Sequence, residues 1–249
     1  MKHIEINGVD FHYLGPSLSV GATPTIFYFA LSSKDTLLVD PYNQPISSFD
    51  LNKIRVITCT LLEHEEPKSP YEAIGAWVDQ LHKGNDLLTP FFERVSKAIH
   101  LMLEKNMIAK DQLGFMGLSR GAFIATHLSR YFDFSLPIVG FSPLIALSQT
   151  KEALALGLNY CHLDLSHFLK SLIDKKIYYF IGNKDTRVGS KICADFIFDL
   201  ANLAYEHSIR SLPFELKVFP SIGYMGHGTP KSIFIEGANL LKTIIDGSK

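Results

Sequence analysis

The chain has 249 residues, 47% of them apolar and 20% charged, and 24 Lys plus Arg stand against 25 Asp plus Glu. That composition excludes a self-repelling disordered chain, and a net charge of −1 leaves no electrostatic footprint for nucleic acid. A chain of this length can bury a large core as one α/β unit, so residues 1–249 are expected to form a single domain.

The chain opens with His3 to Ile6 and Phe11 to Leu14 flanking Asn7-Gly8, a dipeptide that favours the left-handed turn of a hairpin, so two antiparallel strands are expected. Glu5 interrupts what a secretory leader would need as an apolar core. Short apolar runs follow at Thr25–Leu31, Arg55–Leu61, Gln112–Met116, Leu136–Phe141, Lys176–Ile181 and Phe214–Phe219. Runs without alternation suit strands covered on both faces, which belong to parallel sheets. Between them lie helical patterns. One starts at Thr89, read as an N-cap with Pro90 at the first helical position, and repeats Phe91, Phe92, Val95, Ala98, Ile99, Met102 and Leu103 at spacings of three and four before stopping at Asn106. Others are expected over Arg120–Arg130, Lys191–His207 and Ser232–Ile245. The fold class is therefore α/β: a doubly wound, mostly parallel sheet with helices on both faces. The long connection at 142–175 carries many leucines and has two readings, a small lid insertion or an ordinary crossover helix with extra turns. The most apolar stretch, Phe134 to Ser148, is broken by Pro137, Ser142 and Pro143 and falls short of the roughly 18 residues a membrane span requires. A soluble, cytoplasmic protein is expected, with its oligomeric state left open.

The chemistry-bearing pattern is Gly117-Leu118-Ser119-Arg120-Gly121, placed directly after a strand-like run and before a helical one. Small residues two before and two after the serine permit a tight strand-to-helix turn that exposes its hydroxyl, and the helix start aims free N–H groups at any oxyanion formed beside it. A nucleophilic serine needs a base, and the base needs a carboxylate. Asp185 stands in the loop after the run ending at Ile181, and His227 lies between glycines beyond the last run. The bland alternatives are a capping role for Ser119 or Asp185 and a surface loop position for His227. Asp164 and Asp174 precede their strand rather than follow it, and His207 falls inside a helical stretch.

These three positions and their flanks resemble the α/β-hydrolase family of serine hydrolases over nearly the whole chain. The wording of the serine and aspartate loops is most similar to dienelactone hydrolases and prolyl-oligopeptidase-like catalytic domains. The resemblance implies the α/β-hydrolase fold and an acyl-enzyme mechanism in which Ser119 attacks, His227 moves the proton and Asp185 orients the histidine. It also implies an oxyanion hole made by the amides of Arg120 and Leu31, with Ser32 as the neighbouring candidate. Here the sequence departs from the family pattern, because Phe29-Ala30-Leu31-Ser32 holds no glycine-rich run.

Other motifs fail on spacing. Asn183-Lys184-Asp185 is one residue short of the guanine-reading N-K-x-D and no phosphate-binding loop accompanies it; His64-Glu65 lacks a second histidine at position 68 and is followed by Pro67. Cys59, Cys161 and Cys193 are too far apart to chelate and read as buried thiols. No metal and no cofactor is expected. Arg120, Lys184 and Arg187 fall near the expected mouth, where they either favour an anionic substrate or stand as solvated cations paired with nearby acids, the commoner case. The expected partner is a small-molecule acyl substrate, a small or medium carboxylic ester or thioester. A short-peptide serine peptidase and a binding protein that kept the fold without turnover are the alternatives.

Overall fold

The computed structural model describes residues 1–211 and 213–247. Its first two strands, β1 (Lys2–Ile6) and β2 (Val9–Leu14), form the expected hairpin: Ile6 pairs with Val9, and Asn7 and Gly8 both take positive φ, 53° and 69°. β3 (Thr25–Phe29) leads through α1 (Ser33–Leu38) and a 3₁₀ turn at Gln44–Ser48 to β4 (Arg55–Cys59). Helices α2 (Ala73–His82) and α3 (Leu88–Glu104) precede β5 (Leu113–Leu118), α4 (Arg120–Ser129) and β6 (Pro137–Phe141). Two short helices, α5 (Lys151–Ala155) and α6 (Leu169–Leu172), sit in the long connection to β7 (Lys176–Gly182). The chain then runs through α7 (Ser190–Glu206), β8 (Phe214–Phe219) and α8 (Lys231–Ile245).

All eight strands make one sheet in the order β1-β2-β4-β3-β5-β6-β7-β8. From β4 to β8 every pairing is parallel, and only β2, antiparallel to both β1 and β4, runs against the rest. The apolar runs lack alternation because both faces are covered. Phe27, Phe29, Phe115 and Ile138 pack on one side with α3, α4 and α7, while Ile26, Tyr28, Met116 and Val139 pack on the other with α1 and α8.

Two expectations need correction. The side chain that caps α3 is Asp86: its Oδ1 accepts the Leu88 and Thr89 amides, each at 2.9 Å, and Oδ2 accepts the Thr89 hydroxyl at 2.6 Å. Thr89 thus already lies within the helix as a partner of the cap, and Pro90 is tolerated because the first turn has no intrahelical acceptor for its missing N–H. β8 is not buried on both faces. It forms the edge of the sheet and alternates in exposure, with Lys217 paired to Glu236 of α8 at 2.5 Å.

The 142–175 connection is mostly irregular. Leu144, Leu147, Leu163, Leu165 and Leu172 turn into the core, whereas Leu154 and Leu156 stay exposed. Arg55, fully buried at the start of β4, binds the carbonyls of Pro16, Ser17, Gly21 and Met107, so its charge is spent holding the loops at the amino end of the sheet. Among the described residues, no helix is long and apolar enough to cross a membrane.

Candidate active site

The site lies at the carboxyl end of the parallel strands, where β5 turns sharply into α4. Ser119 occupies the turn with φ 55° and ψ −117°, a conformation that L-residues adopt only under constraint. Flanking glycines make it sterically feasible: a Cβ on Gly117 would collide with the backbone of Gly121 and Ala122, and one on Gly121 would overlap the Phe29 carbonyl. Backbone bonds pin the turn: Ser119 N donates to Phe141 O at 2.8 Å, and Ser119 O accepts from the amides of Ala122, Leu144 and Phe123 at 3.0, 3.2 and 3.3 Å. Although Ser119 sits at the N-cap position, its hydroxyl makes no capping bond.

That hydroxyl instead meets His227, with Oγ 2.9 Å from Nε2. The other ring nitrogen, Nδ1, lies 2.7 Å from Asp185 Oδ2, which fixes the tautomer with the proton on Nδ1 and a lone pair facing the serine. Asp185 is itself held in place. Its Oδ1 accepts the Arg187 and Val188 amides at 2.9 and 3.1 Å, and its own amide donates to Ser190 Oγ at 2.8 Å. The carboxylate is fully enclosed, while the imidazole keeps 23% of its surface. All three residues singled out from the sequence therefore come together; Asp164 binds Ser148, Asp174 pairs with Lys175, and His207 bonds Leu203 O, all away from this cluster.

The residues that lock the aspartate and histidine loops to each other were not singled out. Ser221 N donates to Asn183 Oδ1 at 3.0 Å, Lys184 N donates to Ser221 Oγ at 2.6 Å, and Thr186 bonds Met225 O through both its amide and its hydroxyl. Asn183, which fails as a guanine reader, serves as a brace. The spacing Gly182-Asn183-Lys184-Asp185 was visible, but which distant backbone Asn183 would reach was not.

The oxyanion region differs from expectation at Leu31. Its amide donates to Thr36 Oγ1 at 3.0 Å inside α1, so it is not a free donor as it stands. Thr36, in that helix, reaches back to the strand end and occupies this N–H. The Arg120 amide, at the first turn of α4, meets no protein acceptor among the described residues.

Around these groups lies a cavity of about 560 Å³ lined by Ser119, His227, Leu31 and, from the 142–175 connection, Lys151 and Glu152. Arg120 and Arg187 also line it and Lys184 does not. Arg187 grips Glu152 with both terminal nitrogens, at 2.8 and 2.9 Å, a fork-on-fork pair that leaves neither charge unmatched. Arg120 sends Nη1 to the Pro70 carbonyl and to His64 Nε2, the latter at 3.2 Å. Burial, then repulsion from Arg187, lowers its guanidinium to about 10. Among the described residues no group of histidine, cysteine and acidic side chains is arranged to hold a metal.

No family model matches the chain, and no curated protein matches it in sequence. Solved structures do. The chain is similar to TT1662 from Thermus thermophilus, with a TM-score of 0.69 at 12% identity over 98% of this chain and 97% of that one. It is similar to the Pyrococcus furiosus esterase Pf2001, with a TM-score of 0.59 at 17% identity over 98% of this chain and 90% of that one. An acylaminoacyl peptidase from Pyrococcus horikoshii gives a TM-score of 0.64 at 12% identity, with 97% of this chain matching only 40% of that protein. With six parallel strands, a strained serine turn after β5 and these likenesses over the full length, the chain has the α/β-hydrolase fold.

Proposed function

We propose that the chain is a serine hydrolase that cleaves a small or medium carboxylic ester or thioester through an acyl-enzyme. The observation that carries this reading is the hydrogen-bonded series Asp185, His227, Ser119, assembled from three loops on a turn that is held against its steric preference. Ser119 Oγ attacks the carbonyl carbon as His227 Nε2 takes its proton, and Asp185 stabilises the imidazolium through Nδ1–H. The negative charge that develops on the carbonyl oxygen is met by the Arg120 amide and, in this proposal, by the Leu31 amide shared with Thr36 Oγ1. His227 then returns the proton to the leaving alcohol or thiol, and water repeats the sequence to free the acid. The esterase and peptidase among the structural likenesses fit this chemistry, since ester and amide cleavage share the same acyl-enzyme.

The test is labelling by a fluorophosphonate, with the native chain expected to label and Ser119→Ala to be blank. Turnover of 4-nitrophenyl esters is expected to fall by at least about 10⁴-fold in the same variant. Equal labelling of the two proteins would refute the assignment. Aminoacyl amides assayed beside the esters separate esterase from short-peptide peptidase, the ester being the better substrate on this reading.

A further inference from the structure

Two cations of the cavity, Arg120 and Lys151, form no ion pair among the described residues, and of these Arg120 is the partly buried one while Lys151 is exposed. Nη1 is taken by two neutral acceptors, the Pro70 carbonyl and His64 Nε2. The histidine is neutral because its Nδ1, 2.8 Å from Leu62 O, carries the ring proton, and because burial and then Arg120 itself push it down to about 4. Among the described residues no carboxylate lies within ion-pair distance of Arg120, whereas Arg187 has Glu152. The remaining guanidinium nitrogens, Nε and Nη2, have no protein acceptor among the described residues. They are not enclosed orphans either: the buried side-chain atoms without partners, among the described residues, are His12 Nδ1, Thr23 Oγ1 and Ser48 Oγ. Both nitrogens therefore keep some exposure, on a residue that lines the cavity holding Ser119. That cavity is lined by three cationic side chains, Arg120, Lys151 and Arg187, and by a single carboxylate, Glu152.

We infer that this cavity contains an anion subsite in which the Nε–Nη2 edge of Arg120 receives a carboxylate carried by the substrate. That edge presents two parallel N–H groups at the spacing of two carboxylate oxygens, so a carboxylate docks side-on and bidentate. Desolvation of an unpaired guanidinium is costly unless a ligand supplies the missing charge, and the carboxylate in the pocket wall, Glu152, is already engaged by Arg187. Tyr42 and Tyr71, which line the same wall, lie close enough to Arg120 for its charge to act on the Tyr42 phenol, and they bound the space the carboxylate would enter. The inference rests on the hydrolase reading and names its substrate class: a monoester or monothioester of a dicarboxylic acid, or an ester whose leaving group bears the acid. It excludes a purely apolar acyl ester as the preferred substrate.

The experiment compares 4-nitrophenyl hemiglutarate with the isosteric valerate ester, and 4-carboxyphenyl acetate with its methyl ester, each rate divided by that of uncatalysed hydrolysis. In the native protein one acidic member is expected to have a kcat/KM about tenfold or more above its neutral partner, a factor set by one or two charge-assisted hydrogen bonds. The ratio, rather than the absolute rate, is expected to collapse toward one in Arg120→Met and to be partly kept in Arg120→Lys. Should Arg120→Met fail to fold, inhibition of the native protein by glutarate and not by glutaramide decides the matter. Ratios at or below one in both pairs, with no glutarate inhibition, in protein that labels with fluorophosphonate at Ser119 would overturn the subsite and leave the hydrolase reading standing. Absence of labelling removes the hydrolase reading itself.

Discussion

At the scale of single residues, Thr36 decides whether the Leu31 amide is free. Its Oγ1 is the acceptor for the Leu31 N–H, in a buried position. If the Leu31 amide stabilises the oxyanion, it must share or surrender that bond as charge develops, and a donor at such a site contributes about 2.7–4 kcal/mol to the transition state. Replacing the hydroxyl by a methyl at constant shape leaves the amide unpaired in the resting enzyme and available in the reacting one. Thr36→Val is therefore expected to lower stability by about 1–3 kcal/mol in a denaturant titration while raising kcat on an acetyl ester severalfold. Lost stability with unchanged or lower kcat would show that Leu31 does not serve the oxyanion. The hydrogen-bonded series Ser119, His227, Asp185 is legible because each member carries a local signature. Ser119 has its two glycines, and Asp185 and His227 each follow a strand run in the order such folds use. Thr36 and Asn183 were not legible, because a hydroxyl or amide that satisfies a distant backbone group leaves no pattern in the residues beside it.

At the scale of elements, strand and helix types followed from apolar spacing, and their ends did not. The serine strand runs on to Leu118 because Gly117 and Leu118 pair with Gly140 and Phe141, a tertiary bond that no run of apolar residues announces. Helix α2 was overlooked although Ala73, Ile74, Trp77 and Val78 form a buried stripe at helical spacing. The start of α3 lies two residues earlier than Thr89-Pro90 suggests, because that pair looks like a cap followed by its preferred proline, while the carboxylate of Asp86 takes the free amides. Asp86 Oδ2 also meets His162 Nε2 at 2.9 Å and so ties the 142–175 connection to α3. Burial raises this carboxyl, but hydrogen bonds from Thr89, His162 and Leu88 outweigh it and the net direction is downward. Asp86→Ala is expected to cost about 0.5–2 kcal/mol, with Tm about 2–6 °C lower by calorimetry. Asp86→Asn, which keeps an acceptor oxygen, is expected to recover more than half of that loss. An unchanged Tm in the alanine variant would place the capping of α3 elsewhere.

At the scale of the whole molecule, the packing that brings α3, α4 and the 142–175 connection together passes through one neutral histidine. His127, on the helix that follows the serine, stacks on Phe92 at 4.7 Å between ring centres and lies edge-on to Phe123 and Phe168. Its Nδ1 accepts from Arg130 Nη1 at 2.7 Å, and its Nε2, 2.9 Å from Leu163 O, therefore carries the proton and donates. Burial first, and the Arg130 charge second, push this imidazole down to about 3, against 6.5 for the free side chain. A histidine lowered in the folded state leaves stability independent of pH above 6.5, where both states are neutral. As pH falls from 6.5 toward 3 the unfolded chain takes up the proton and the native one does not, so stability is lost at up to about 1.4 kcal/mol per pH unit. His64, pushed down to about 4, adds a loss of the same sign over most of that window. His127→Gln offers one donor to Leu163 O and one acceptor to Arg130 without titrating, so it isolates the effect of one proton. Thermal melts between pH 7.5 and 5 are expected to show Tm dropping less steeply in His127→Gln than in the native protein, with the two curves running parallel above pH 7. Parallel curves across the whole range would mean that His127 is not held neutral by its packing, and the acid limb would have to be sought in His64 and the carboxylates instead.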